Sequence, residues 1–88
     1  MVNGVTKSGF EFVITDDALD DYELLEALCD IDNGDMGQVP KMVERLLGRD
    51  QKNALKAHIK AIKGKVSSKA MIEEISDIFA ASNEGKNS

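Results

Sequence analysis

Apolar and polar positions alternate with a period of two near the N-terminus and switch to helical spacing along the rest of the chain. Phe10-Glu11-Phe12-Val13-Ile14 puts Phe10, Phe12 and Ile14 on one face of a short strand. Val2 to Thr6 is a candidate partner strand, with Lys7-Ser8-Gly9 as the turn. From about Ala18 to Ile31 the spacing predicts a first helix, with Thr15, Asp16 and Asp17 as candidate N-caps. Ala18, Leu19, Tyr22, Leu25 and Cys29 form one apolar face of it, and Leu24, Leu28 and Ile31 a second, displaced patch. At about 100° per residue the combined arc exceeds roughly 200°, against ~100° for an ordinary surface helix. Either this helix is central in the fold, or one patch, Leu24, Leu28 and Ile31, faces a partner.

The pattern continues through three more helices. Pro40 suits the first turn of a second helix, about Val39 to Leu47, with Val39, Met42, Val43, Leu46 and Leu47 as its stripe and Gly48 as its C-terminal cap. Asp50 is placed to cap a third, about Gln51 to Lys63, closed by Gly64 and carrying Leu55, Ile59 and Ile62 toward the core. Ser67 caps a fourth, about Ser68 to Ala81, with Val66 set to pack on Met71 and with Met71, Ile72, Ile75, Ile78 and Phe79 as its apolar face. The expected fold is mainly α: a small single-domain bundle of about four helices with a short N-terminal strand or hairpin, over residues 1–81. Residues 82–88 (SNEGKNS) read as a polar, disordered tail.

Charge sharpens this picture. The net charge is −5, but residues 10–35 carry ten acids and no base, while residues 49–69 carry seven bases and one acid, Asp50. Part of the acidic cluster follows from the helix dipole, which favours anions in the first turn. The segregation makes the chain an electric dipole, which governs steering and association rather than fold. If the two regions lie on opposite sides, they favour weak head-to-tail self-association.

Asp30, Asp32, Asn33 and Asp35 around Gly34 and Gly37 resemble a calcium loop until the positions are tested. An EF-hand needs oxygen ligands at positions 1, 3 and 5, glycine at 6 and glutamate at 12. Counted from Asp30, position 5 is Gly34, position 6 is Asp35 and position 12 is Lys41. Counted from Asp32, the ligands vanish. The segment reads as a polar turn between helices. No metal or cofactor is expected.

Catalytic chemistry is sparse. The single histidine, His58, has no second His or Cys near it in sequence, which disfavours zinc and leaves a helix-surface residue. Cys29 is the lone cysteine, excludes an internal disulfide and reads as a small buried hydrophobe. Ser67-Ser68 reads as a cap rather than a nucleophile, and no Gly-rich phosphate loop occurs. No enzyme activity is expected. Lys52, Lys56, Lys60 and Lys63 form a basic stripe on the third helix, the kind of cluster that binds phosphate. The overall acidity and the lack of interleaved aromatics weigh against nucleic acid, and no Trp or Phe anchors it to a membrane surface. No stretch of about 18 apolar residues occurs, and MVNGVTKSG has no signal-peptide pattern, so a soluble cytoplasmic protein is expected.

Three longer stretches, FEFVITDDALDDYELLEAL, GDMGQVPKMVERLLG and ALKAHIKAIKGKVSSKAMIEEISDIF, resemble the small tail assembly chaperones of long-tailed phages and prophages of Gram-positive hosts. The resemblance spans about Phe10 to Phe79 and lies in order and texture rather than in a catalytic signature. It implies a non-enzymatic protein of the host cytoplasm, absent from the finished virion, that coats the tape-measure protein and recruits the tail-tube protein. It also implies that a longer, frameshifted form can exist. Leu24, Leu28, Ile31 and the lysine stripe are then the expected partner contacts. A small nucleic-acid-associated regulator using residues 52–63 is the alternative.

Overall fold

The computed structural model describes the backbone of residues 1–86 and the side chains of residues 1–81. The alternating N-terminal segment forms a hairpin of β1 (Val2–Val5) and β2 (Glu11–Ile14), antiparallel, with Val2 opposite Ile14 and Val5 opposite Glu11. The turn closes where Thr6 N donates to Phe10 O at 2.9 Å and Gly9 N donates to Thr6 O at 2.9 Å. Phe10, Phe12 and Ile14 all point inward, as the period of two requires.

The expected first helix is two helices. α1 (Asp16–Leu19) is capped by Thr15, whose hydroxyl accepts from Ala18 N at 3.2 Å. The chain then leaves helical geometry at Asp21 (φ −84, ψ 108) and restarts as α2 (Tyr22–Asp32). The Asp21 carboxylate accepts from Glu23 N at 2.9 Å and Leu24 N at 3.3 Å. An aspartate offers the backbone this alternative to a helical bond, so one helix start lies inside what periodicity reads as one helix. The break dissolves the 200° arc. Ala18, Leu24 and Ala27 enter the core, and Leu28 and Ile31 pack half-buried against it. Leu19, Tyr22 and Leu25, expected inside, are exposed, and so is Cys29.

α2 ends in a glycine motif: Gly34 N donates to Ile31 O at 3.0 Å and Asp35 N to Asp30 O at 2.8 Å, with Gly34 at φ 102. The Asp35 carboxylate accepts from Gly37 N at 3.2 Å and starts a short 3-10 turn, Met36–Gln38. The acids that imitate a calcium loop are therefore a helix stop followed by a helix start.

The second and third expected helices meet end to end at a kink and together make α3 (Val39–Lys63), with Pro40 in its first turn. The bend is at Gly48 (φ 81, ψ 165), a backbone region open to glycine alone. Among the described residues Asp50, expected as the cap of the second limb, makes no capping hydrogen bond. Gln51 does the work at this joint. Its amide nitrogen donates to Leu47 O at 2.8 Å and to Val13 O at 2.7 Å, and its amide oxygen accepts from Val13 N at 2.7 Å. One side chain thus satisfies the outer edge of β2 and a carbonyl next to the bend. Gly64 (φ 82) ends α3. Ile62, expected in the core stripe, is 53% exposed and lines a groove beside Lys7 and Ser8 of the hairpin turn.

α4 (Ser68–Lys86) starts at Ser67, whose hydroxyl accepts from Ala70 N at 3.2 Å. It runs past the expected end near Ala81, because nothing before Gly85 stops a helix. The side chains of the expected 82–88 tail, and residues 87 and 88 entirely, lie outside the described residues. Ile75 and Ile78 are buried, Met71 and Phe79 half-buried, and Ile72 exposed at 39%.

The core lies where the hairpin, the second limb of α3 and α4 meet. Phe12, Ile14, Leu55, Ile59 and Ile78 are its most deeply buried large side chains. Each such side chain stabilises by about 1.5–3 kcal/mol relative to exposure. Met42, Val43, Leu46 and Leu47 extend the core along the first limb toward α2. The architecture is the mainly α fold of four helices with an N-terminal hairpin that the sequence predicts. Among the described residues, no helix is long and apolar enough to cross a membrane.

Candidate functional site

Two arrangements stand out: a buried carboxylate cluster at the hairpin turn and an apolar strip with charged ends. The cluster centres on Glu74, which is only 7% exposed although it lies among the apolar residues of α4. Thr6 Oγ1 donates to Glu74 Oε1 at 2.7 Å, and Ser8 Oγ donates to the same carboxylate at 2.8 and 2.9 Å. His58 Nε2 lies 2.9 Å from Ser8 Oγ, and its ring packs on Phe10 with centroids 5.6 Å apart. Serine, histidine and glutamate together invite comparison with a hydrolase triad. The order is wrong for one. A catalytic serine gives its proton to histidine, and the acid holds the histidine's far nitrogen. Here the acid contacts the Ser8 hydroxyl itself, at 2.8 and 2.9 Å, rather than the far nitrogen of His58, so the three do not form the serine–histidine–acid series. The cluster instead ties the turn to α3 and α4. Lys7 reinforces it: its backbone N–H donates to Asp77 at 3.2 Å and its ammonium lies 3.8 Å from the same carboxylate.

Sequence reading placed His58 on a helix surface and passed over Thr6, Ser8 and Glu74. A signal existed for Glu74. Its spacing from Met71 and Ile78 puts it inside the apolar stripe of α4, where a carboxylate needs partners.

The second arrangement is a chain of shallow apolar grooves. One, of about 420 Å³, lies between the start of α3 and the start of α4, with Met36, Val66 and Ile72 in its walls and Lys52 and Lys56 on its rim. The next shares Met36 and Ile72 with it and adds Leu28, Ile31 and Phe79. A third shares Leu28 and Phe79 and continues to Leu19, Tyr22 and Leu25, beside Asp20 and Asp21. Shared walls make these one strip. Six large apolar side chains along it are exposed: Leu19 40%, Tyr22 68%, Leu25 54%, Met36 47%, Val66 41% and Ile72 39%. Val66 and Met71 line the first groove together, where a hydrophobic staple was expected.

The expected partner residues are split by this geometry. Leu24 is core at 5% exposure and is withdrawn as a contact. Leu28 and Ile31 are half-buried in the floor of the strip. Lys52 is tied to Glu44 at 2.8 Å across the Gly48 bend, and that hydrogen bond, with the Lys52 and Arg49 charges, holds the Glu44 carboxyl below its ordinary value. Lys56 stands on the groove rim, while Lys60 is exposed beyond it and Lys63 lines a separate groove near Ser8 and Asp77. Of the four, Lys52 alone is ion-paired among the described residues.

At the other end, Arg45 bridges Asp21 at 3.0 Å and Glu23 at 2.7 Å. The Arg45 hydrogen bond holds the Asp21 carboxyl below the usual carboxylate range, and Asp21 in turn raises the Arg45 guanidinium. Among the described residues, no ion pair joins the acidic 10–35 region to the basic 49–69 region. No group of three or more His, Cys, Asp or Glu side chains among them is placed to hold a metal ion. No protein-family model matches the chain, and neither a curated protein nor a solved structure shows significant similarity to it.

Proposed function

We propose that this chain is a non-enzymatic assembly chaperone of a long-tailed phage or prophage, which holds the tape-measure protein and helps bring tail-tube subunits to it in the host cytoplasm. The observation that carries the reading is the exposed apolar strip from Leu19 to Ile72. Single exposed apolar residues need no explanation, but six joined through common grooves mark an interaction surface. A groove between helices, floored by Leu28, Ile31 and Phe79, suits the apolar stripe of an amphipathic helix. A long helical protein offers many such stripes, and shielding them one by one by weak contacts keeps it from aggregating. No catalytic step is required of the chain.

Co-expression with a fragment of the phage's own tape-measure protein tests this. The fragment is expected to stay soluble and co-purify with the chain. Ile72→Asp, at an exposed position, is expected to abolish co-purification while leaving helical content unchanged. A fragment that precipitates equally with and without the chain overturns the reading. Retention of duplex DNA by the chain, lost on Lys56→Glu, would favour the nucleic-acid regulator instead.

A further inference from the structure

The strip is not uniform in charge, and its two ends are complementary. At the α1–α2 end, Leu19, Tyr22 and Leu25 sit beside Asp20. Among the described residues Asp20 makes no ion pair. At the other end, Met36, Val66 and Ile72 lie under Lys52 and Lys56, and among the described residues Lys56 makes no ion pair. Each end is an apolar patch with unneutralised charge, and the signs are opposite.

We propose that the occupant of this strip in the free protein is a second copy of the chain, seated with the acidic Tyr22–Leu25 end of one copy on the lysine-rimmed Val66–Ile72 end of the other. Apolar contact supplies the attraction, and the opposite charges set which end meets which. Like ends are disfavoured, since acid on acid or lysine on lysine adds repulsion to a molecule already at net charge −5. The contact is weak and reversible, because each exposed charge pair adds only about 0–1 kcal/mol. It goes beyond the chaperone reading and stands independently of it: a partner helix would displace the second copy from the same strip.

The test uses two variants that introduce a charge of the wrong sign at exposed positions. Leu25→Lys spoils the acidic end, and Ile72→Asp spoils the lysine end. In sedimentation at low salt, wild type is expected to associate with concentration. Each variant alone is expected to associate at least about tenfold more weakly, the equivalent of roughly 1.4 kcal/mol. An equimolar mixture of the two is expected to recover a one-to-one dimer, because each retains the end the other lacks. Association is expected to weaken as salt shortens the Debye length from about 10 Å at 0.1 M to about 3 Å at 1 M. A wild type that stays monomeric at low salt, variants that associate as wild type does, or a mixture that stays monomeric overturns the proposal.

A second measurement avoids dependence on variant folding. Cys29 is exposed and one helical turn from Leu25, so a spin label on it reports on the acidic end. Mixed with isotope-labelled copies, it is expected to broaden amides of Val66 to Ile72. Broadening centred on residues 19–29 of the other copy would mean like meets like and would overturn the assignment.

Discussion

Gln51 shows how much a single amide can hold. Its side chain has one acceptor and two donors, and all three face backbone groups of Val13 and Leu47. Gln51→Ala leaves Val13 N, Val13 O and Leu47 O short of a partner in a half-buried joint. The expected loss is about 2–4 kcal/mol, from net hydrogen bonds of roughly 0.5–1.5 kcal/mol each plus desolvation of the orphaned groups. Gln51→Glu is expected to be worse than its size suggests, because a carboxylate keeps the acceptor for Val13 N and sets a negative charge against two carbonyl oxygens. Urea denaturation of both variants measures this. An alanine variant as stable as wild type would show that water replaces the amide. Nothing in the sequence marks Gln51, since a glutamine near a helix start is ordinary and its partner is 38 positions away. Phe10, Phe12 and Ile14 were legible for the opposite reason: their burial follows from a local alternation. Glu74 lay between, visible as a polar residue in an apolar stripe but without a hint that Thr6 and Ser8 would meet it.

At the scale of elements, the bends carry the information that periodicity misses. Asp21 and Gly48 interrupt helices for different reasons, one by giving the backbone a side-chain acceptor and the other by its φ of 81. The glycine stop was readable after Leu47. The aspartate was not, because Asp16, Asp17, Asp20 and Asp21 are all plausible caps and only tertiary packing chooses two starts over one. That choice inverted the reading of the leucines, sending Leu24 inward and Leu25 outward. Gly48→Ala is expected to destabilise by about 1–3 kcal/mol through backbone strain alone, since a Cβ there would meet nothing within 4 Å. Thermal melting checks this, and an unchanged midpoint would mean that the bend can relax to an ordinary helix. The Asp21–Arg45 bridge joins the start of α2 to α3 and adds a pH dependence. The folded carboxyl titrates below its ordinary value, so the bridge contributes fully above that value and is lost as pH falls through the depressed one. Arg45→Gln is therefore expected to lower the melting temperature slightly at neutral pH, with both proteins converging in acid. A gap that persists below the aspartate range would assign the effect to packing by the arginine stem. The effect is small because both groups face solvent.

For the whole molecule, the decisive contacts join the two ends of the described fold. β1 packs on α4, Ser8 reaches Glu74, and Lys7 reaches Asp77, at separations of 66 and 70 residues. Glu74→Ala is expected to cost about 1–3 kcal/mol by orphaning the Thr6 and Ser8 hydroxyls. It should also raise amide exchange along the hairpin more than in the first limb of α3. Uniform exchange changes would mean that the hairpin does not open separately. Helical composition and the hairpin were legible because they rest on short-range pattern, whereas this closure rests on pairs that no local window contains. The same closure sets a schedule for synthesis. The hairpin is made before the helix that covers Phe12 and accepts the Ser8 hydroxyl. During translation the hairpin can meet α3 first, through Gln51 and the Phe10–His58 contact, while its α4 side stays open until that helix has been released. A nascent chain that has not yet released α4 therefore carries a hairpin open on that side.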